Sequence, residues 1–321
     1  ATVRKNEYVN LPVICLVGPT ASGKSGLAVR VCRRLYVDEH PAEIINTDSM
    51  VVYRGMDIGT ATPTLREQRT VVHHLVSILD VTVPSSLVLM QTLARDAVED
   101  CLSRGVIPVL VGGSALYTKA IIDEMSIPPT DPEVRARWQE KLDAEGPQVL
   151  HDELARRDPK AAESILPGNG RRIVRALEVI DLTGSFTATI PDGTLHWPKT
   201  VQMGLELSRK DIDQRIADRV DQMWAYGFVD EVRSLANVGL REGLTASRAL
   251  GYRQVLEYLN GDYDEDEARR RTIIGTRRFA RKQLMWYRRD DRIEWFNALA
   301  PDLDDRVVAR VLTALTTDEE D

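Results

Sequence analysis

The chain has 321 residues, 43% hydrophobic and 28% charged, the make-up of a soluble globular protein of about two domains. Its 42 basic and 49 acidic residues give a net charge of −7, which argues against a general nucleic-acid coat but leaves room for a local basic groove. Three scattered cysteines without a C-x-x-C pair, five histidines without zinc-ligand spacing and no membrane-length apolar run predict a reducing, cytoplasmic location with no membrane contact.

The apolar run from Leu11 to Val17 reads as a buried strand. It leads into Gly18-Pro19-Thr20-Ala21-Ser22-Gly23-Lys24-Ser25, which fits the phosphate-binding pattern G-x-x-x-x-G-K-[ST] at every fixed position. Leu27, Ala28, Val31 and Leu35 then share one helical face. Strand, glycine-rich turn and helix together are the context in which backbone N–H groups and a helix N-terminus gather around an anion. Lys24 would reach phosphate oxygens, and the Ser25 hydroxyl would hold Mg²⁺.

Residues 43–47 read as a second strand ending at Asp48-Ser49, followed by a glycine-punctuated loop from Met50 to Thr60. A helix is predicted over 88–103 and another buried strand over 106–111, stopped by Gly112-Gly113-Ser114. Alternating helices and continuously apolar strands indicate an α/β fold, a P-loop NTPase-like parallel sheet covered by helices. In such sheets ligands collect beyond the carboxyl ends of the strands, where the loops 18–25, 48–49 and 112–114 would meet.

Character changes at Ile127-Pro128-Pro129-Thr130-Asp131-Pro132. Residues 133–183 look wholly helical, 184–198 irregular, and 200–207 like a further strand, so an all-helical insertion over 127–198 is expected within a core of 11–126 plus 199–300. Helices are predicted over 211–236, 246–259 and 264–287, with a frayed acidic tail at 317–321.

Asp48 ends a strand beside the phosphate loop, and the residues alone leave open a general base, a Mg²⁺ ligand or a helix cap. Ser114 could meet the same ligand or simply cap a helix. Arg215 has Asp211 and Asp218 at helical offsets and reads as a surface ion pair. Arg219 has no acidic neighbour on its helix and borders an apolar stripe, so a phosphate is a plausible partner. Arg171, Arg172 and Arg175 face away from Ile173, Leu177 and Ile180; taken by itself this is a solvated basic face. Residues 269–289 carry nine basic and no acidic residues, interleaved with Phe279, Trp286 and Tyr287. Two basic segments in an acidic chain favour an RNA groove, with a surface helix neutralised by the acidic cluster at 262–267 as the competing account.

Together G-P-T-A-S-G-K-S (18–25), D-S-M-V-V-Y-R-G-M-D-I-G-T-A (48–61), L-V-G-G-S-A-L-Y (110–117), R-R-I-V-R-A-L-E-V (171–179), G-Y-R-Q (251–254) and T-R-R-F-A-R-K-Q-L-M-W (276–286) resemble the tRNA dimethylallyltransferase family in its bacterial arrangement. The resemblance implies prenyl transfer from dimethylallyl diphosphate to N6 of adenine 37 in tRNAs reading codons that begin with U. In that reading the phosphate loop holds the donor's pyrophosphate with Mg²⁺, Asp48 is the general base, and Ser114 and Arg219 contact the diphosphate. It further implies tRNA contacts at Asp48, Ser49, Met50, Val51, Ser114, Arg171, Arg172, Ile173, Val174, Arg175, Arg248, Gly251, Tyr252, Arg253, Gln254, Lys282 and Gln283. The helical insertion would clamp the anticodon stem-loop, the adenine would be flipped into a channel, and the protein would act as a monomer. Ser114 stands where threonine is common, Thr62 where lysine is, and Met285 where threonine is; Val72-His73-His74 lacks a preceding proline, and residues 87–90 lack the usual polar and aromatic side chains. The rival readings are a P-loop kinase, a free-nucleotide isopentenyltransferase, and a non-catalytic RNA-binding module.

Overall fold

The computed structural model describes residues 11–186 and 193–316. Six strands, β1 (Val13–Val17), β2 (Ala42–Asn46), β3 (His73–His74), β4 (Ile107–Gly112), β5 (Thr200–Glu206) and β6 (Ile293–Asn297), form one sheet in the order β3-β2-β4-β1-β5-β6. Every pairing is parallel. All residues of β1 and β4 are buried, as central strands covered on both faces require. One face packs Leu27, Val31 and Leu35 of the helix Lys24–Val37 with Val307 and Val311 of the helix Leu303–Thr316. The other face takes Ala94, Val98 and Cys101 of the helix Leu87–Ser103, together with Ile121 and Tyr287.

Register decides where the loops emerge. Val17 pairs with Gly112 on one side and Gly204 on the other, and Asn46 pairs with Val111. The chain therefore leaves β1, β2 and β4 side by side at one end of the sheet.

Several expected elements are corrected. The helix expected over 211–236 breaks at Gly227, whose φ of +94° ends Arg209–Ala225 and starts Phe228–Ala236. The helix expected over 246–259 is a 3₁₀ turn, Ala246–Arg248, and a separate helix, Tyr252–Leu259, divided at Gly251 (φ +84°). Strands β3 and β6 and the helices Leu65–Thr70 and Leu303–Thr316 had no clear sequence signal. The acidic tail lies outside the described residues, as does part of the stretch expected to be irregular.

The short edge strand β3 is fastened by side chains. His74 Nε2 lies 3.3 Å from Glu43 Oε1 and 3.8 Å from Cys101 Sγ. Arg104 donates to both Glu43 oxygens at 2.9 and 2.8 Å, so this buried carboxylate already has its cation.

Residues 124–194 form a separate unit. Its helices are Pro132–Glu145, Pro147–Arg157, Pro159–Ser164 and Gly170–Thr183, with no strand among the described residues. Leu150, Leu154, Ile173, Val174, Leu177 and Ile180 form its core. Glu178 sits in that unit with no exposed surface, accepting from Thr130 Oγ1 (2.8 Å), Asp131 N (2.8 Å), Arg135 (2.8 Å) and Arg175 (2.9 Å). Burial alone would raise its pKa, but these four donors outweigh it and hold the carboxyl below its usual range.

Glu178→Gln is expected to destabilise this unit by about 1–2 kcal/mol, because Arg175 and the half-exposed Arg135 lose their counter-charge while solvent screens what remains. Because the folded-state pKa is depressed, the stabilisation is complete above the unfolded value near 4.3 and lost as pH falls below it. Acid unfolding followed by circular dichroism should show this loss in the native protein and not in the variant.

Candidate active site

The phosphate loop follows β1 and turns into the helix Lys24–Val37 through Gly23, the helix N-cap, at φ +92°. Ala21 also lies at positive φ (62°), a conformation a non-glycine residue holds only where the surroundings impose it. Within the loop Ser22 N donates to Pro19 O, and Thr20 N donates to Gln283 Oε1 at 2.9 Å. The N–H groups of Ala21, Gly23, Lys24, Ser25 and Gly26 have no acceptor among the described residues. Five open donors at a helix N-terminus form an anion receptor.

The cations around the loop are open as well. Among the described residues Lys24 Nζ reaches only the Pro19 carbonyl at 3.2 Å, and Arg219 only Thr20 Oγ1 at 3.2 Å. Burial pushes the Lys24 ammonium down to about 8, countered in part by the charge of Asp48. Burial also lowers Arg219, again against Asp48. Arg215 corrects the reading of a surface ion pair: it turns toward the Ala21 and Ser22 carbonyls, 3.4 Å away. Its expected partners are engaged elsewhere, Asp211 by Ser208 and Asp218 by Gln214. The one-turn spacing from Arg219 was the sequence signal that could have placed it here.

Asp48 leaves β2 in a tight turn. Asn46 accepts from Asp48 N at 2.9 Å, and the Met50 and Val51 amides donate to Asp48 Oδ1 at 2.7 and 3.4 Å. The capping alternative therefore describes Oδ1 alone. Oδ2 has no donor among the described residues and remains open as a base or ligand. Ser114 is the N-cap of the helix Ala115–Ile122, accepting from Tyr117 N at a loose 3.5 Å. Lys24, Ser25, Asp48, Ser114, Arg215 and Arg219 all line one cavity of about 1380 Å³, large enough to take a nucleobase beside a small diphosphate.

The loop 50–60 is held by a residue the sequence did not mark. Glu231 accepts from the amides of Asp57 (3.0 Å), Ile58 (2.9 Å) and Gly59 (3.5 Å) and from Tyr252 Oη (2.7 Å). A Cβ on Gly59 would press into the Tyr252 and Phe228 rings, which explains why glycine stands there. Three residues of the expected RNA-contact segment 248–254 thus face inward. Gly251 and Tyr252 are buried, and Gln254, also buried, accepts from Gly251 N at 2.8 Å. Arg248 and Arg253 are exposed; Arg248 lines the cavity and Arg253 lies 3.6 Å from Glu257.

The other expected RNA contacts divide in the same way. Arg171 and Arg172 are exposed, Ile173 and Val174 are core, and Arg175 is committed to Glu178 and the Pro128 and Pro129 carbonyls. On the helix Glu265–Tyr287, Arg269, Arg270, Arg271 and Arg281 pair with acids and Arg277 donates to the Asp213 carbonyl. Arg278, Lys282 and the following Arg288 are exposed without a partner among the described residues, and Arg289 stacks over Trp286. Phe279 and Trp286 are exposed, but Tyr287 is buried, its hydroxyl 3.3 Å from Gly112 O. Gln283 is buried too, and its amide is spent on Thr20 and Gly113.

A strand–loop–helix anion receptor, unpaired cations and a neighbouring open carboxylate define a P-loop enzyme that handles phosphorylated donors. A family model described as IPP transferase matches residues 51–290. A tRNA dimethylallyltransferase of Cutibacterium acnes is 99% identical over 99% of this chain and 100% of its own length. One from Thermobifida fusca is 54% identical over 93% of this chain and 94% of its own. The crystal structure of a tRNA isopentenylpyrophosphate transferase from Bacillus halodurans superposes with a TM-score of 0.69 at 36% identity, covering 95% of this chain and 96% of that one. The chain belongs to the IPP transferase family of tRNA dimethylallyltransferases.

Since Lys24 is charged only below about pH 8 without ligand, affinity for an alkyl diphosphate should hold steady up to pH 7. Above pH 8 it should fall by up to roughly tenfold per pH unit, with proton uptake on binding. Calorimetric titrations across pH 6.5–9.5 check this, and Lys24→Arg should flatten the dependence.

Proposed function

We propose that this chain transfers a dimethylallyl group from dimethylallyl diphosphate to N6 of an adenine in the anticodon loop of tRNA, at position 37, releasing pyrophosphate. The observation that carries the reading is the pairing of an uncompensated anion receptor with the open Oδ2 of Asp48 in one cavity.

In this reading the diphosphate occupies the five open amides of the phosphate loop, with Lys24, Arg215 and Arg219 around it. The bond between the dimethylallyl carbon and the diphosphate oxygen breaks, and its electron pair leaves with pyrophosphate. Charge growing on that oxygen is met by donors already in place, which is where preorganised electrostatics lowers a barrier. The N6 lone pair forms the new carbon–nitrogen bond, and the displaced proton passes to Asp48 Oδ2. Two backbone amides engage Oδ1 of this cavity-lining carboxylate and leave Oδ2 without a donor among the described residues. The Ser114 hydroxyl, only loosely engaged as a cap, is free to donate to the departing oxygen.

The exposed Ser25 hydroxyl has no hydrogen-bond partner among the described residues, and as a hard oxygen donor beside a diphosphate it fits Mg²⁺. That ion, when bound, would neutralise charge on the leaving group. For the RNA, the unpaired Arg278, Lys282 and Arg288 suit phosphates, and exposed Phe279 and Trp286 suit unstacked bases. In the helical unit the same role falls to Arg171 and Arg172.

The test is a mass-resolved assay with an anticodon stem-loop carrying adenines at positions 36–38, dimethylallyl diphosphate and Mg²⁺. One five-carbon unit on adenine 37 is expected, with Asp48→Asn slowing transfer by roughly 10²- to 10⁴-fold. Prenylated AMP instead would move the chain to free-nucleotide chemistry, and ATP consumption without prenylation would restore the kinase reading. Separately, replacing both Arg171 and Arg172 by alanine should lower the slope of log affinity against log salt by ~0.7 for each RNA phosphate that these side chains neutralise.

A further inference from the structure

The helix Glu265–Tyr287 presents two chemically different faces. Arg278, Phe279, Lys282 and Trp286 are exposed, whereas Ala280, Gln283 and Tyr287 are buried, three and four residues apart. Gln283 is 6% exposed, and its amide is divided between the two loops that frame the cavity. Its Oε1 accepts from Thr20 N at 2.9 Å, and its Nε2 donates to the Gly113 carbonyl. A Cβ on Gly113 would collide with this amide, so glycine is what allows the approach. Thr20 also carries the hydroxyl that receives Arg219, so the same short segment sets the arginine's position.

We propose that Gln283 is a positioning residue for the diphosphate, not a contact to RNA: it spaces the phosphate loop from the loop after β4 in the arrangement that receives the donor. The inference rests on reading the loop as a diphosphate site. Only an uncharged amide fits both bonds, since a carboxylate cannot donate to Gly113 and a hydrocarbon satisfies neither group. By holding Thr20 N, Gln283 withdraws one amide from the loop while five stay open. One helix thus steadies the donor site from its inner face while its outer face carries free cations.

Three variants test this in the full chain. Gln283→Met removes both hydrogen bonds at similar volume, Gln283→Glu keeps only the bond from Thr20, and Gly113→Ala displaces the amide from the opposite side. Each is assayed for inorganic pyrophosphate affinity with Mg²⁺, for KM and kcat with dimethylallyl diphosphate, and for stem-loop affinity. Gln283→Met is expected to weaken pyrophosphate roughly tenfold and raise KM by a similar factor, the scale of one buried hydrogen-bond partner. RNA affinity should be unchanged. Lys282→Ala, one residue away on the exposed face, should show the reverse. Folded variants with native pyrophosphate affinity, or a loss of RNA affinity larger than that of pyrophosphate, would overturn the proposal. Should Gln283→Met fail to fold, the other two variants carry the same comparison. If the wild-type chain binds ATP and not pyrophosphate, the diphosphate reading fails, and ATP affinity of the same variants then decides the role of Gln283.

Discussion

Five backbone amides with no acceptor among the described residues, beside an ammonium that reaches the Pro19 carbonyl at 3.2 Å, are the constraint on which the rest of this structure depends. These residues are exposed or half-buried, so water can reach their N–H groups, and an anion at the helix N-terminus can satisfy several of them together. Burial pushes the Lys24 ammonium down to about 8 despite the nearby Asp48 carboxylate, so an anion beside it would favour its charged form. In the proposed function a diphosphate would supply acceptors and countercharge together at this loop.

Holding such a loop in place requires rigid supports, and the structure provides them on three sides. The parallel register aligns Val17 with Gly112, and Asn46 with Val111, so the phosphate loop, Asp48 and Ser114 arise from adjacent strand ends. Gln283 ties the phosphate loop to Gly113 from the buried face of the basic helix. Glu231 and Tyr252 secure the loop 50–60 through its backbone amides. Residues 248–254 accordingly do two jobs: Tyr252 and Gln254 build the scaffold, while Arg248 and Arg253 stay exposed.

Much of this was legible in the sequence, because its signals are local. The buried strands β1, β2 and β4, the phosphate loop and the placement of Asp48 follow from apolar runs that end at turn residues. The missed parts depend on partners distant in the chain. β3 has two residues and β6 has the mixed burial of an edge strand, so neither carries a run that periodicity could detect. Arg215 has two acidic neighbours on its own helix, yet it faces carbonyls 193 and 194 residues away. Glu231 carries no signal in the sequence, and Gln283 and Tyr287, expected at an RNA surface, are buried against the loop carbonyls of Gly113 and Gly112. Within the basic segment 171–175 the sequence could not separate exposed Arg171 from Arg175, whose guanidinium is committed to a buried glutamate.

Calorimetric competition between dimethylallyl diphosphate and ATP decides whether the open cations and amides are built for an alkyl diphosphate. With Mg²⁺ and the wild-type chain, the account predicts saturable binding of dimethylallyl diphosphate, displaced by pyrophosphate, weakened by Arg219→Ala and little affected by ATP. Tight ATP binding that excludes dimethylallyl diphosphate would contradict it.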